Sequence, residues 1–391
     1  MEKQHQILLP LLASSLFERQ EILITDIDWD KLYQEAMSQA VFPLIFTELD
    51  LTIPSEKKEE WENRFRYYIS VNTNVTYEHS ELNDTLAKRN IPYVILKGVA
   101  SASYYPNPAL RVLGDVDFLL AEKDMESATE LLTEIGFTAK DEEIQGKHLG
   151  FHRRSSVWEM HRSINGVPEG EAQAIVDEYL SDIIETAVDY QTENGTIKIP
   201  DTFHHGLVLL LHTASHLTSE GIGLRHLCDW AVFAASLSDD EFRVIFEDKL
   251  QRCGLWRFAQ ILTLVSMRYL HIPKREWAGT VDESLLVGLM EDILSGGNFG
   301  FKDNDRYNQI KYISDRGGHT VTKRAPVIQV FHTIRAKAKT QNTSSIRVVS
   351  DYLKMVKSGQ RKLDSVQTLA NAKKRKEIYA EFHLFDKENS Q

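Results

Sequence analysis

The chain has 391 residues, 42% hydrophobic and 26% charged, the balance of an ordinary soluble globular protein long enough for two or three domains. Two cysteines, Cys228 and Cys253, exclude a disulfide framework and match no zinc-ligand spacing, so they read as buried thiols. A formal net charge of -12 excludes indiscriminate nucleic-acid binding by the whole surface.

The first 90 residues predict helices. The opening run MEKQHQILLPLLASSLFERQ is apolar but short, is broken by Pro10 and carries charges of both signs. It predicts a first helix rather than a secretion signal or a membrane span, and a cytoplasmic protein with no transmembrane segment is the expectation. Leu32, Tyr33, Ala36 and Val41 recur at helical spacing, and a long amphipathic stretch then ends at Asn90-Ile91-Pro92.

The pattern changes at 93–96, where YVIL predicts a buried strand. Lys97-Gly98 follows, then a small-residue helix over 99–103 and a loop at Tyr104-Tyr105-Pro106-Asn107-Pro108. The run DVDFLL at 115–120 predicts a second strand, and an amphipathic helix over 123–135 ends at Gly136. Residues 148–162 predict a two-stranded hairpin, and Glu193-Asn194-Gly195-Thr196 a turn into the strand TIKIP. From about residue 201 the chain returns to helices, punctuated by Pro273 and Gly296-Gly297, with no internal repeat. The expected class is α+β: a small mixed sheet with helices at 91–200, a helical region at 1–90, a helical domain at 201–318 and a basic helical segment at 319–391.

Asp115 and Asp117 stand one residue apart at the start of a strand, so both carboxylates face one way while Val116 and Phe118 face the core. Two like charges a few Å apart repel, and a divalent cation relieves that repulsion; carboxylate oxygens suit Mg²⁺ or Mn²⁺. Glu159, in the strand Val157-Trp158-Glu159-Met160-His161, supplies a third acid if that strand lies beside 115–120. Such a triad can hold two metal ions, one at an acceptor hydroxyl and one at a triphosphate. The alternative is a turn at Gly114-Asp115 with a solvent-facing Glu159.

The order of these parts resembles the DNA polymerase β-type nucleotidyltransferase superfamily, in which a glycine turn after the first strand opens a helix and the second strand carries two aspartates. More narrowly, ILKGVASASYYPNPALRVLGDVDFLL with the later VWEMHRSI resembles a bacterial branch called uncharacterised nucleotidyltransferases. The shared elements are Leu96-Lys97-Gly98, Tyr105-Pro106, Arg111, Gly114-Asp115-Val116-Asp117 and Glu159-Met160-His161, with Arg225 and Asp229 in the helical block at matching places. The resemblance covers roughly residues 80–300. It implies a polymerase β-like core that transfers a nucleoside monophosphate from an NTP to a hydroxyl or phosphate acceptor, releasing pyrophosphate, with Asp115, Asp117 and Glu159 as catalytic metal ligands. Three departures stand out: Gly98 is followed by Val99 where the superfamily usually has serine, the gap from Gly98 to Asp115 is long, and the third acid is a glutamate. Ser101 or Ser103 would have to replace the missing hydroxyl.

Supporting residues have two readings each. Gly98 and the following helix N-terminus favour phosphate. Lys97 either touches the same phosphates or is a solvated strand-end lysine. Arg111 either neutralises triphosphate or pairs with a local acid. His161 either contacts substrate and orients a carboxylate or is a packed histidine. His212 and His216 stand at i and i+4 without the glutamate of a zinc motif, so they read as a helix face lining a cleft. Arg225 and Asp229 read as an intrahelical pair by default, or as part of an acceptor pocket.

Between Thr320 and Lys376 stand fourteen Lys or Arg and two acids, Asp351 and Asp364. This segment reads as solvated helix faces, as a site for RNA, tRNA or an anionic membrane surface, or as a strap on the protein's own acidic body. The function expected is therefore metal-dependent nucleotidyl transfer to a small molecule, saccharide, peptide or tRNA end. Competing with it are a non-catalytic nucleotide-binding or scaffold protein and an RNA-directed nucleotidyltransferase using the basic segment.

Overall fold

The computed structural model describes residues 1–17, 26–139, 148–303, 306 and 366–386. Helix α1 (Lys3–Leu16) runs through Pro10 instead of breaking there. A mid-helix proline costs about 3 kcal/mol, but Leu8, Leu9, Leu11, Leu12 and Leu16 are all buried, each worth roughly 1.5–3 kcal/mol. Helix α2 (Trp29–Ser38) is capped by Asp28, which accepts from Lys31 N at 3.1 Å. Helices α3 (Phe42–Leu49) and α4 (Ser55–Ala87) follow, and the 33 residues of α4 make a rod of about 50 Å.

Five strands form one sheet in the order β1 (Tyr93–Ile95), β2 (Val116–Leu120), β5 (Ser156–His161), β4 (His148–Arg153), β3 (Thr138–Ala139). Strand β2 runs parallel to β5, with Asp117 beside Glu159, and the other neighbours are antiparallel. The side-chain period of two then divides the sheet. Val116, Phe118, Trp158 and Met160 enter a core with Val75, Leu82 and Leu86 of α4. Asp117, Glu159 and His161 take the other face. The sheet is thus mixed, as its class predicts.

Helices α5 (Val99–Ala102) and α6 (Met125–Glu134) connect the first strands. Helix α7 (Glu171–Leu180) and strand β6 (Val188–Thr192) were not legible from apolar periodicity. Helix α7 buries only Ala172 and Val176, and β6 buries none of its five residues fully. Strand β7 (Gly195–Ile199) closes the hairpin at the turn expected there. The helical part comprises α8 (Thr202–Thr218), α9 (Leu224–Ala235), α10 (Asp239–Cys253), α11 (Trp256–Leu270) and α12 (Glu283–Gly296). Cys228 and Cys253 are buried free thiols within it.

Two compact units emerge: Met1–Asn304 with Ile378–Gln391, and Asp305–Glu377. Helix α13 (Val366–Ala380) carries the KKRK cluster at 373–376. The remainder of the basic segment, 320–365, and with it the expected site for a nucleic-acid or anionic partner, lies outside the described residues. No helix among the described residues is long and apolar enough to cross a membrane.

Candidate active site

The site lies where β1 ends beside the start of β2, with β5 running alongside. Leu96 N donates to Asp117 O at 3.0 Å, which fixes the exit of β1 beside β2. The chain then turns at Gly98, whose φ of 60° and ψ of −111° are open only to glycine. Helix α5 is a single turn of four residues, too short for the macrodipole that the expected phosphate-binding helix would supply. The Gly98 turn itself remains on the cavity wall, next to Lys97.

Asp115 precedes β2 by one residue rather than belonging to it. Its approach is fixed by Asn72 of α4, whose Nδ2 donates to Ala109 O at 2.6 Å and Arg111 O at 2.8 Å while its Oδ1 accepts from Leu113 N at 2.9 Å. The result is convergence: Asp115, Asp117 and Glu159 each offer a carboxylate oxygen within 4.8 Å of the others. Asp115 is exposed, Asp117 buried, and Glu159 intermediate.

The electrostatics follow from that crowding. Asp117 raises its neighbour Asp115 to about 6, with desolvation adding to the effect. Burial works against the charge on Asp117, but Lys97 and His161 outweigh it and hold this carboxyl far below its ordinary range. Lys97 Nζ lies 3.1 Å from one Asp117 oxygen and His161 Nε2 2.9 Å from the other. His161 also sits 3.5 Å from Glu159. Burial opposes a charge on His161, yet its bonds to the two carboxylates win and raise its pKa. His148, opposite His161 across β4 and β5, joins Glu159 and His161 in a second group of ligand atoms within 4.8 Å.

The carboxylates open into a cavity of about 880 Å³ that Lys97, Gly98, Ser101, Arg111 and Gly114 also line. Ser101 is 1% exposed and its Oγ has no partner, whereas Ser103 donates to Ala100 O. Of the two candidate replacements for the missing serine, Ser101 is thus the one on the cavity wall. His212, His216, Arg225 and Asp229 also line the cavity, with Phe299.

One expectation about the arginines changes, and of the two readings of Arg111 the ion pair is the one observed. The intrahelical pair Arg225–Asp229 does not form; Asp229 takes Arg111 instead, with Nε and Nη2 each at 2.7 Å, and accepts from Tyr105 Oη at 2.7 Å. A bidentate guanidinium–carboxylate fork is geometrically superior to an i,i+4 contact, and it ties the loop before Asp115 to α9. Arg111 thereby has a buried carboxylate partner at the cavity wall. His216 Nδ1 donates to a Glu220 carboxylate oxygen at 2.8 Å, and its ring centroid lies 4.3 Å from that of His212.

Sequence reasoning missed Glu78, His226 and Phe299. Glu78 accepts from Trp158 Nε1 at 2.9 Å and Ser156 Oγ at 2.5 Å, pinning β5 to α4. In the sequence it is one acid among many on a long charged helix, with no signal separating it from a solvated one.

Hard oxygen donors, mutual repulsion and a lysine drawn onto Asp117 together make a donor set that fits a divalent cation. A family model described as uncharacterised nucleotidyltransferase matches residues 25–271. No curated protein and no solved structure matches the chain.

Proposed function

Since the chain belongs to the uncharacterised nucleotidyltransferase family, we propose that it transfers a nucleoside monophosphate from an NTP to a hydroxyl or phosphate acceptor and releases pyrophosphate. The observation that carries this reading is the convergence of Asp115, Asp117 and Glu159 within 4.8 Å on a cavity that also holds the Lys97-Gly98 turn. Asp115, Asp117 and Glu159 would hold Mg²⁺ or Mn²⁺, two ions in the arrangement such triads take. Bound there, the metal supplies neutralisation of phosphate charge and polarisation of the acceptor oxygen.

The chain's own residues supply the rest. Lys97, on the cavity wall beside Asp117, would reach phosphate oxygens. The Gly98 backbone admits close approach of a phosphate, and Ser101 Oγ donates to it. His161 keeps Asp117 oriented through its 2.9 Å contact. Glu159 stands on the acceptor side and takes the hydroxyl proton. Gly114 faces open space before Asp115, where a Cβ would meet nothing within 4 Å. An NTP donor fits a cytoplasmic setting.

The test is transfer of label from α-labelled NTPs into small-molecule, saccharide, peptide and tRNA pools, with pyrophosphate measured in parallel. Stoichiometric label and pyrophosphate, both lost in Asp115→Asn, support the reading. A second reading, a non-catalytic nucleotide-binding module, draws on Val99 in place of the usual serine. It predicts metal-dependent NTP binding with no pyrophosphate from any pool.

A further inference from the structure

The charges lining the cavity do not cancel. Five carboxylates (Glu78, Asp115, Asp117, Glu159 and Asp229) and three Lys or Arg side chains line it. Lys97 pairs with Asp117 and Arg111 with Asp229. Arg225 has no carboxylate within ion-pair distance among the described residues, although its Nε is enclosed and without a hydrogen-bond partner. Its nearest polar contact is a long one, Nη1 to Val112 O at 3.4 Å. The guanidinium lies over the Phe299 ring at 5.3 Å. Gly223 packs against the neighbouring Asn298 so closely that a Cβ would sit 2.7 Å from Asn298 Cα.

Beside Arg225 stands His226, 4% exposed, with neither ring nitrogen partnered. Its ring lies 5.6 Å from that of His212, and both line the cavity. Burial holds these two imidazoles well below their ordinary pKa. They are therefore neutral, and each has one N–H to donate. A half-buried guanidinium whose enclosed Nε has no acceptor is costly, even with Asp229 and Asp115 acting on it from beyond ion-pair distance, and so is an orphaned ring N–H. An oxyanion accepts from the guanidinium and from the one ring N–H of His226 at once.

Resting on the nucleotidyltransferase reading, we propose that Arg225 and His226 form an anion subsite that binds a phosphate or carboxylate carried by the acceptor. The donor's phosphates have their own partners in the carboxylate-held cation, Lys97 and Ser101. The α8–α9 wall is where a second anionic group finds a cation still unpaired. The acceptor is then a phosphorylated or carboxylated molecule, not a neutral saccharide.

Binding of inorganic phosphate, without metal, and of Mg²⁺–NTP would be measured by calorimetry on the full chain. The proteins are wild type, Arg225→Gln, Arg225→Lys and Asp115→Asn/Asp117→Asn. The expected result is phosphate binding weakened at least about ten-fold in Arg225→Gln and less in Arg225→Lys, with NTP affinity within about three-fold of wild type in both. The carboxylate double variant should keep phosphate binding while losing NTP. Phosphate and NTP affinities falling together in Arg225→Gln would assign the arginine to the triphosphate and overturn the proposal. So would absence of phosphate binding in wild type, or equal binding in Arg225→Gln. NTP binding that survives in the double variant counts against the nucleotidyltransferase reading alone and leaves the phosphate comparison standing.

Discussion

Asp115 and Asp117 are separated by a single residue in sequence and lie at opposite ends of the carboxylate range. Asp117 has Lys97 and His161 on its two oxygens; Asp115 has chiefly the repulsion of Asp117, which places it at about 6. A metal ion must displace any proton that Asp115 carries. Cation affinity is therefore expected to be flat above pH 6 and to weaken as pH falls below it, by up to about ten-fold per unit. Manganese binding followed by electron paramagnetic resonance across pH 5–8 reads this directly, and a flat profile would remove Asp115 from the ligand set. In Asp117→Asn the dominant repulsion is gone, so the Asp115 titration should move down toward the ordinary aspartate range. The Arg111–Asp229 fork makes a separate prediction about folding. Both side chains are buried, and removing one partner strands the other charge, so Asp229→Asn should destabilise by roughly 3–5 kcal/mol in urea denaturation. A loss under about 1 kcal/mol would mean the pair is hydrated as surface pairs are.

At the scale of elements, the site depends on one turn and one register. Gly98 sits at φ 60° and ψ −111°, so Gly98→Ala should cost about 1–3 kcal/mol through backbone strain, although a Cβ would meet nothing closer than 3.7 Å. NTP affinity measured on the folded fraction should fall as well. Unchanged stability would show that the turn relaxes without loss. The strands of the core were legible because Val94, Phe118 and Trp158 mark them as buried runs, and the 148–162 hairpin because apolar and polar positions alternate. The parallel pairing of β2 with β5 was a condition the sequence posed rather than answered, since β5 follows β2 only after a helix and a hairpin partner. Arg225 and Asp229 show the limit of local rules. Their spacing is right for an ion pair, yet a guanidinium 118 positions away in sequence captures the carboxylate. His226 and Phe299 were equally invisible, because a buried unpartnered histidine and a core histidine read alike.

Over the molecule as a whole, the cavity draws on α4, the β1–β2 region, β5, α8, α9 and the turn after α12, all within one compact unit. A ligand bound there links distant pieces of chain and stabilises only the folded state. Metal with NTP at about a hundred-fold above its dissociation constant should add about 2.7 kcal/mol, visible as a rise in melting temperature. NTP without metal should add far less. The most direct test of the central claim is binding of each NTP, with and without Mg²⁺ or Mn²⁺, to wild type and to Asp115→Asn/Asp117→Asn. Metal-dependent binding by wild type that disappears in the double variant is the predicted result; equal binding by both proteins, or none by either, would contradict it and make the three carboxylates structural.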